Sequence, residues 1–212
     1  MHSLTLLPES AVWHGPSRTL VAADIHLGKA AAFRAGGIAV PEGGDADDLD
    51  RLAALVAKHD AARLVIAGDL FHAPAGVTSE LLEMLAGFLK TTAIPLMLAM
   101  GNHDVKIPRL PPGVRPVGSV DLSARGPRVV HDPADADPSC FHIAGHLHPV
   151  VRLRDGRRTS LRLPCFWRRG NLLVLPAFGT FTGGSVITPA DGDGIFAALR
   201  DRVVAIPRSA WL

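Results

Sequence analysis

Residues 63–72 read RLVIAGDLFH, and residues 95–104 read PLMLAMGNHD. Each is a short apolar run of buried-strand composition that stops at Gly and then turns polar. The same arrangement recurs upstream in TLVAADIH (19–26) and downstream in RVVH (128–131) and FHIAGHLH (141–148). Two amphipathic stretches separate the first three runs. Asp47–Lys58 carries Leu49, Leu52, Leu55 and Val56, and Ser79–Lys90 carries Leu81, Leu82, Leu85, Phe88 and Leu89, both at helical spacing. Residues 19–100 therefore read βαβαβ, the pattern of a parallel sheet. Before them, Leu4–Leu7 and Ala11–His14 read as two strands joined by a Pro-Glu-Ser turn. After them come strand-like runs at 150–153, 159–163, 172–175, 196–199 and 203–206, with Asp155-Gly156 as a hairpin turn. The reading is one α/β domain with a parallel first part and an antiparallel second part.

Composition narrows the class. The chain has 212 residues, 48% apolar and 20% charged, with 10 His, 2 Cys and no Tyr. That excludes a disordered chain, a collagen and a disulfide-stapled mini-domain. The first residues lack a basic start and break at Pro8, so no export signal is read there. No apolar stretch is long enough for a membrane span. Cys140 and Cys165 are read as reduced thiols, and the expected compartment is the cytoplasm. The net charge of +2 hides an asymmetry. Residues 1–150 hold 12 basic and 16 acidic side chains, whereas residues 151–212 hold 10 and 4. Seven of the positive charges crowd one hairpin: Arg152, Arg154, Arg157, Arg158, Arg162, Arg168 and Arg169.

The polar residues that end the apolar runs are Asp24, His26, Asp69, Asn102, His131, His146 and His148. In α/β sheets the carboxyl ends of strands are where ligands bind. Two carboxylates, one amide and four imidazoles are a mixed oxygen–nitrogen donor set, sufficient for two metal sites sharing Asp69. Such donors suit Mn²⁺, with Fe or Zn as alternatives, and no thiolate joins them. His142, inside its strand, is a rival to His131. Gly101 permits a tight turn after its strand, and period 2 puts His146 and His148 on one side. Taken singly each pattern is weak; seven such residues, each after an apolar run, are not coincidence.

Asp24-x-His26, Gly68-Asp69, Gly101-Asn102-His103-Asp104, His131 and Gly145-His146-x-His148 resemble the calcineurin-like metallophosphoesterase superfamily. GDLFH at 68–72 resembles its nuclease branch, which includes the SbcD nuclease. HLGKAAAFRAGGIAVPEG (26–43), RLPCF (162–166) and LPAFGTFTGG (175–184) are similar to the ligase-associated DNA damage response endonuclease family, called PdeM. The resemblance implies an αββα sandwich, two mixed β-sheets flanked by helices. It implies one metallophosphoesterase domain over residues 1–212, without a cap domain. It implies two divalent ions, one on Asp24, His26, Asp69 and His148, the other on Asp69, Asn102, His131 and His146. A water activated by the pair would attack phosphorus. His103 would protonate the leaving alkoxide, with Asp104 orienting its ring. DNA is the implied substrate, with an ATP-dependent DNA ligase, a helicase and another nuclease as partners in repair and no membrane involved.

Candidate substrate contacts are Lys29 and Arg34 beside the first motif, His72 beside the second, and Arg154, Arg157 and Arg158 in the arginine hairpin. The plain alternative for the hairpin is a solvated face, with Val151, Leu153, Leu161 and Leu163 turned inward. A phosphomonoesterase or small-molecule phosphodiesterase would show the same ligands. A metal-binding scaffold of a repair complex would show a decayed set, and no expected ligand is missing here.

Overall fold

The computed structural model describes residues 3–41, 43–124, 126–155 and 159–211, without the side chains at 154, 155 and 159. Its first sheet has six strands in sequence order: β1 (Leu4–Leu7), β2 (Ala11–His14), β3 (Thr19–Ala22), β4 (Arg63–Ile66), β5 (Leu96–Ala99) and β6 (Val114–Val117). The first three strands are antiparallel, and β3 to β6 run parallel. The helices α1 (Lys29–Ala35), α2 (Gly44–Lys58) and α3 (Ser79–Thr92) lie in the crossovers. Asp45 and Asp47 complement the dipole at the start of α2, and the Thr78 hydroxyl caps α3 by accepting the Leu81 N–H.

The second sheet contains β7 (Val120–Asp121), β8 (Arg128–Val129), β9 (His142–Ala144), β10 (Pro149–Asp155), β11 (Thr159–Arg169), β12 (Leu172–Val174) and β13 (Ser185–Val186). Their order is β13-β10-β11-β12-β9-β8-β7, and β14 (Gly194–Ala198) with β15 (Val203–Ile206) extends from β11. The second part is antiparallel only in part, since β8–β9, β9–β12 and β10–β13 are parallel pairs, so both sheets are mixed, as the resemblance implies. Between these paired strands the chain carries a 3₁₀ turn at Pro133–Asp135 or other strands, rather than an α-helix.

Strand alternation builds the layers. On β3, Leu20 and Ala22 join Leu52, Leu55, Leu81 and Leu85 of α2 and α3 in one core. Val21 and Ala23 face the other way and meet Val129, Ile143, Phe166 and Leu173 of the second sheet. The two sheets thus stack face to face, with α2 and α3 outside the first. A third cluster around Cys165, Trp167 and Ile195 is made by strands and the C-terminal segment. Among the described residues, no helix is long and apolar enough to cross a membrane.

Alternation in the parallel strands is what delivers the site. Both faces of β3 and β4 are buried, so each strand must spend its polar residues beyond its carboxyl end. Asp24, Asp69 and Asn102 follow β3, β4 and β5, while His131 and His146 follow β8 and β9. The ligand candidates therefore come from both sheets and meet along their common edge.

Candidate metal centre

The loop backbones are held to one another and to two carboxylates. Asp24 N–H donates to Gly68 O at 3.0 Å, and His26 N–H to Asp69 O at 2.9 Å. His146 N–H donates to both Asp24 carboxylate oxygens, at 3.1 and 2.9 Å, tying the second sheet to the first. His103 N–H donates to Asp69 Oδ1 at 2.9 Å. Asp24, His26, Asp69, His146 and His148 all have positive φ, between 46° and 72°. Left-handed backbone is uncommon for such residues and clusters at functional sites. Gly101 makes the crowding possible: a Cβ there would lie 2.1 Å from Asp69 Oδ1 and 2.4 Å from Asp69 N.

Two donor sets result. Asp24, His26 and His148 form one, with His148 Nε2 3.3 Å from Asp24 Oδ1 and 3.4 Å from His26 Nε2. Asp69, His131 and His146 form the other. Asn102 Oδ1 lies 3.0 Å from both His131 Nε2 and His146 Nδ1. Asp69 Oδ2 stands between the sets, 3.9 Å from His26 Nε2 and 3.6 Å from His131 Nε2. The period-2 expectation is corrected: with left-handed backbones His146 and His148 diverge, one into each set. Among the described residues a third grouping, His26, His72 and His103, flanks the first.

The imidazoles are oriented from behind. His131 Nδ1 donates to Ala67 O at 3.0 Å and His148 Nδ1 to Gly183 O at 3.1 Å, leaving each Nε2 for the centre. Such backing by carbonyls fixes the tautomer a metal ligand needs. Burial drives the His26 ring down to about 2, helped by His148, His103 and Lys29, so it is held neutral. Burial also raises Asp24, although His148 opposes it. In His148 burial pushes down, but the bond to Asp24 and its charge outweigh it and raise the ring. Two buried carboxylates among imidazoles form a pocket suited to cations, and oxygen and nitrogen donors without sulfur fit a binuclear site for divalent metal.

His142 is not among these donors. It is buried in β9, with Nδ1 3.1 Å from Cys140 O and Nε2 3.6 Å from Asp137 Oδ2. Its place in the strand, one residue after Phe141, carries it away from the edge that His131 reaches.

Asp104 is corrected. Its carboxylate does not face the His103 ring; it accepts the backbone N–H groups of Asp69 at 2.7 Å, Phe71 at 3.0 Å and Gly101 at 3.0 Å. Burial lifts the carboxyl to about 6 against the pull of those donors. The ring of His103 is held instead by the His72 carbonyl, 2.5 Å from its Nδ1. A side chain beside a histidine in sequence need not share its direction in a 3₁₀ turn, which starts here at Asp104.

Of the expected substrate contacts, His72 stacks on His103 at 5.1 Å, and burial lowers it to about 4. Lys29 opens α1 and lines a cleft with His26. Arg34 reaches the Pro41 carbonyl at 3.5 Å. The Arg154 side chain, Arg157, Arg158 and the Gly156 turn lie outside the described residues. Sequence reasoning missed Phe33 and Phe181, which stand beside Lys29. The signal was present in AAAFRA and GTFTGG, but a single Phe in a short helix without a buried stripe, or in a loop, has no periodicity to reveal it.

The chain is similar to known proteins over most of its length. The family described as calcineurin-like phosphoesterase matches residues 17–171. The crystal structure of Pseudomonas putida nuclease MPE is similar at 33% identity and a TM-score of 0.76, covering 95% of this chain and 94% of that one. Yfce, a phosphoesterase from E. coli, aligns at 17% identity and a TM-score of 0.45, covering 88% and 96%. No curated protein matches. With two His/Asp donor clusters meeting at Asp69, this chain belongs to the calcineurin-like metallophosphoesterases and is a metal-dependent phosphoesterase.

Proposed function

We propose that the enzyme is a two-metal phosphodiesterase that cleaves DNA, of the ligase-associated damage-response type, acting in repair as a single domain without a cap. The observation that supports this reading is Asp69 standing between two donor sets, in a chain 33% identical to a nuclease over 95% of its length. Asp24, His26, Asp69 and His148 would hold one ion, and Asp69, Asn102, His131 and His146 the second. Mn²⁺ is the favoured metal, since the oxygen donors shift the set toward harder ions. Bound, the pair supplies Lewis acidity that polarises phosphoryl oxygens and acidifies water.

The protein's own groups do the rest. His103 donates its Nδ1 hydrogen to the His72 carbonyl, so Nε2 is the atom left for substrate. Carrying a proton, Nε2 binds a phosphate oxygen and then passes the proton to the departing alkoxide. Asp104 keeps the loops after β4 and β5 at fixed separation, which sets the distance from His103 to Asp69. Lys29 offers its charge at the rim of the same cleft. A DNA ligase, a helicase and another nuclease are the expected partners, and the cytoplasm the expected compartment.

The test is turnover of single-stranded DNA, a bis-aryl phosphodiester and an aryl monoester with Mn²⁺, Fe²⁺ and Zn²⁺, beside His103→Ala. DNA cleavage that falls at least about 100-fold in the variant is expected. A strong monoester preference would overturn the nuclease reading, and inactivity on all three would favour a scaffold.

A further inference from the structure

Outward from His103 runs a series of aromatic rings that the donor sets do not use. His103 stacks on His72 with 23° between the planes. Phe33 meets His72 edge to face at 5.7 Å, and Phe181 meets Phe33 at 5.8 Å and 73°. Lys29 Nζ lies 5.9 Å from both phenyl centroids. Phe181 is 43% exposed at the outer end of this series. With Lys29 it lines a cleft of about 220 Å³ that reaches His26.

These rings are anchored by α2. Asp45 Oδ1 accepts the Gly28 N–H at 2.9 Å, immediately before Lys29. The buried carboxylate of Asp48 accepts the Thr180 N–H at 3.1 and 3.0 Å, immediately before Phe181. Two carboxylates one helical turn apart therefore set the two loops against each other. Asp48 is paired with Arg51 at 2.9 Å, but Asp45 and Asp47 leave that wall of the cleft unfavourable to phosphate, so a polyanion fits better on the Lys29 side.

We propose that Phe181, Phe33 and Lys29 form a subsite for the nucleotide on the leaving-group side of the scissile phosphate. The base stacks on Phe181, and the adjoining phosphate faces Lys29. The side follows from continuity: the rings begin at His103, the group that meets the departing oxygen. A stacked base must be unpaired or drawn out of its helix, so the subsite selects single-stranded or frayed nucleic acid. This rests on the nucleic-acid reading above.

The test uses the metal-loaded enzyme with two oligonucleotides of equal length, one normal and one built wholly of tetrahydrofuran abasic residues, with a bis-aryl phosphodiester as control. Wild type is expected to cleave the normal strand about 10-fold better in kcat/KM, the scale of one base stack. Phe181→Ala should lose that preference and cleave both strands at the abasic rate, with bound metal unchanged. Phe181→Trp should restore it. A preference that survives Phe181→Ala overturns the subsite, and so does an equal loss on both strands, which would mean a structural ring. If wild type turns over the aryl diester and neither strand, the nucleic-acid reading itself fails and the subsite falls with it.

Discussion

The loops that follow β3, β4, β5, β8 and β9 and the hairpin β10–β11 treat their polar residues in opposite ways. In the loops, donors converge, five backbones are left-handed, and nearly every donor is braced by a second group. In the hairpin the ladder is regular from Val150↔Pro164 to Asp155↔Thr159, and Arg152 stands directly across from Arg162. One region places its charges by over-determining the backbone. The other places them by strand alternation alone, and tolerates facing like charges on an exposed surface. The first depends on exact geometry and the second does not, so substitutions should fail abruptly in one and gradually in the other.

The largest effect is expected at Asp69. Its carboxylate stands between both donor sets and also holds the His103 N–H. Loss of a group that only supports a ligand costs about 10–100-fold, so Asp69→Ala should exceed 100-fold in turnover. Metal analysis should show fewer than two ions per chain. Two retained ions would break the view that Asp69 is shared. Next come His103 and Asp104, neighbours with different tasks. His103→Ala should lower turnover about 100-fold or more with little change in Tm. Asp104→Ala strands three buried N–H donors, at roughly 1–3 kcal/mol each, and should lower Tm as well as turnover. Equal Tm for the two variants would overturn the separate assignments.

Glycines sharpen the contrast at intermediate size. A Cβ on Gly101 would strike Asp69 backbone and side chain, neither free to move. Gly101→Ala should cost about 3 kcal/mol, near 6–12 °C in Tm for this chain length. Gly170, in the turn between β11 and β12, has φ 54°, but a methyl there would meet nothing within 4 Å. Gly170→Ala should cost only the left-handed backbone, about 1–2 kcal/mol. Differential scanning calorimetry compares them, and a Gly170 loss as large as that of Gly101 would remove the distinction.

How much of this was legible in the sequence follows the same division. Apolar runs ending in Asp, Asn and His located the edge, because parallel strands buried on both faces have no other place for polar residues. Which ring enters which donor set was not legible from spacing: left-handed φ at His146 and His148 cancels the period-2 rule. Adjacency in sequence does not put Asp104 against the His103 ring, because a 3₁₀ turn sends adjacent side chains apart. The short helix α1 leaves no trace in the pattern, because it has no buried residue and so no stripe. In the hairpin, alternation correctly turns Val151 inward and Arg152 and Arg162 outward, but Leu161 is 53% exposed.

The smallest effect lies in that hairpin and has two signs. Arg152 and Arg162 face each other across an antiparallel pair, and like charges directly opposite are destabilising by about 0.2–1 kcal/mol. Arg162 is partly committed, since it donates to the Gly184 carbonyl at 3.0 Å, beside the Gly183 carbonyl that backs His148. Arg152 is therefore the one to replace. Arg152→Thr suits a strand, removes the repulsion, and should raise Tm by about 1–3 °C. If the hairpin tracks a nucleic-acid backbone, the same change should weaken binding of single-stranded DNA and flatten its salt slope by about 0.7, the release expected from one phosphate contact. Charge reversal at Arg154, Arg157 and Arg158 should deepen both binding effects. A hairpin that is only a solvated face would gain stability with its salt slope unchanged. A gain in stability together with a loss of slope would mean that these arginines are kept against the interest of the fold, for the sake of a polyanion.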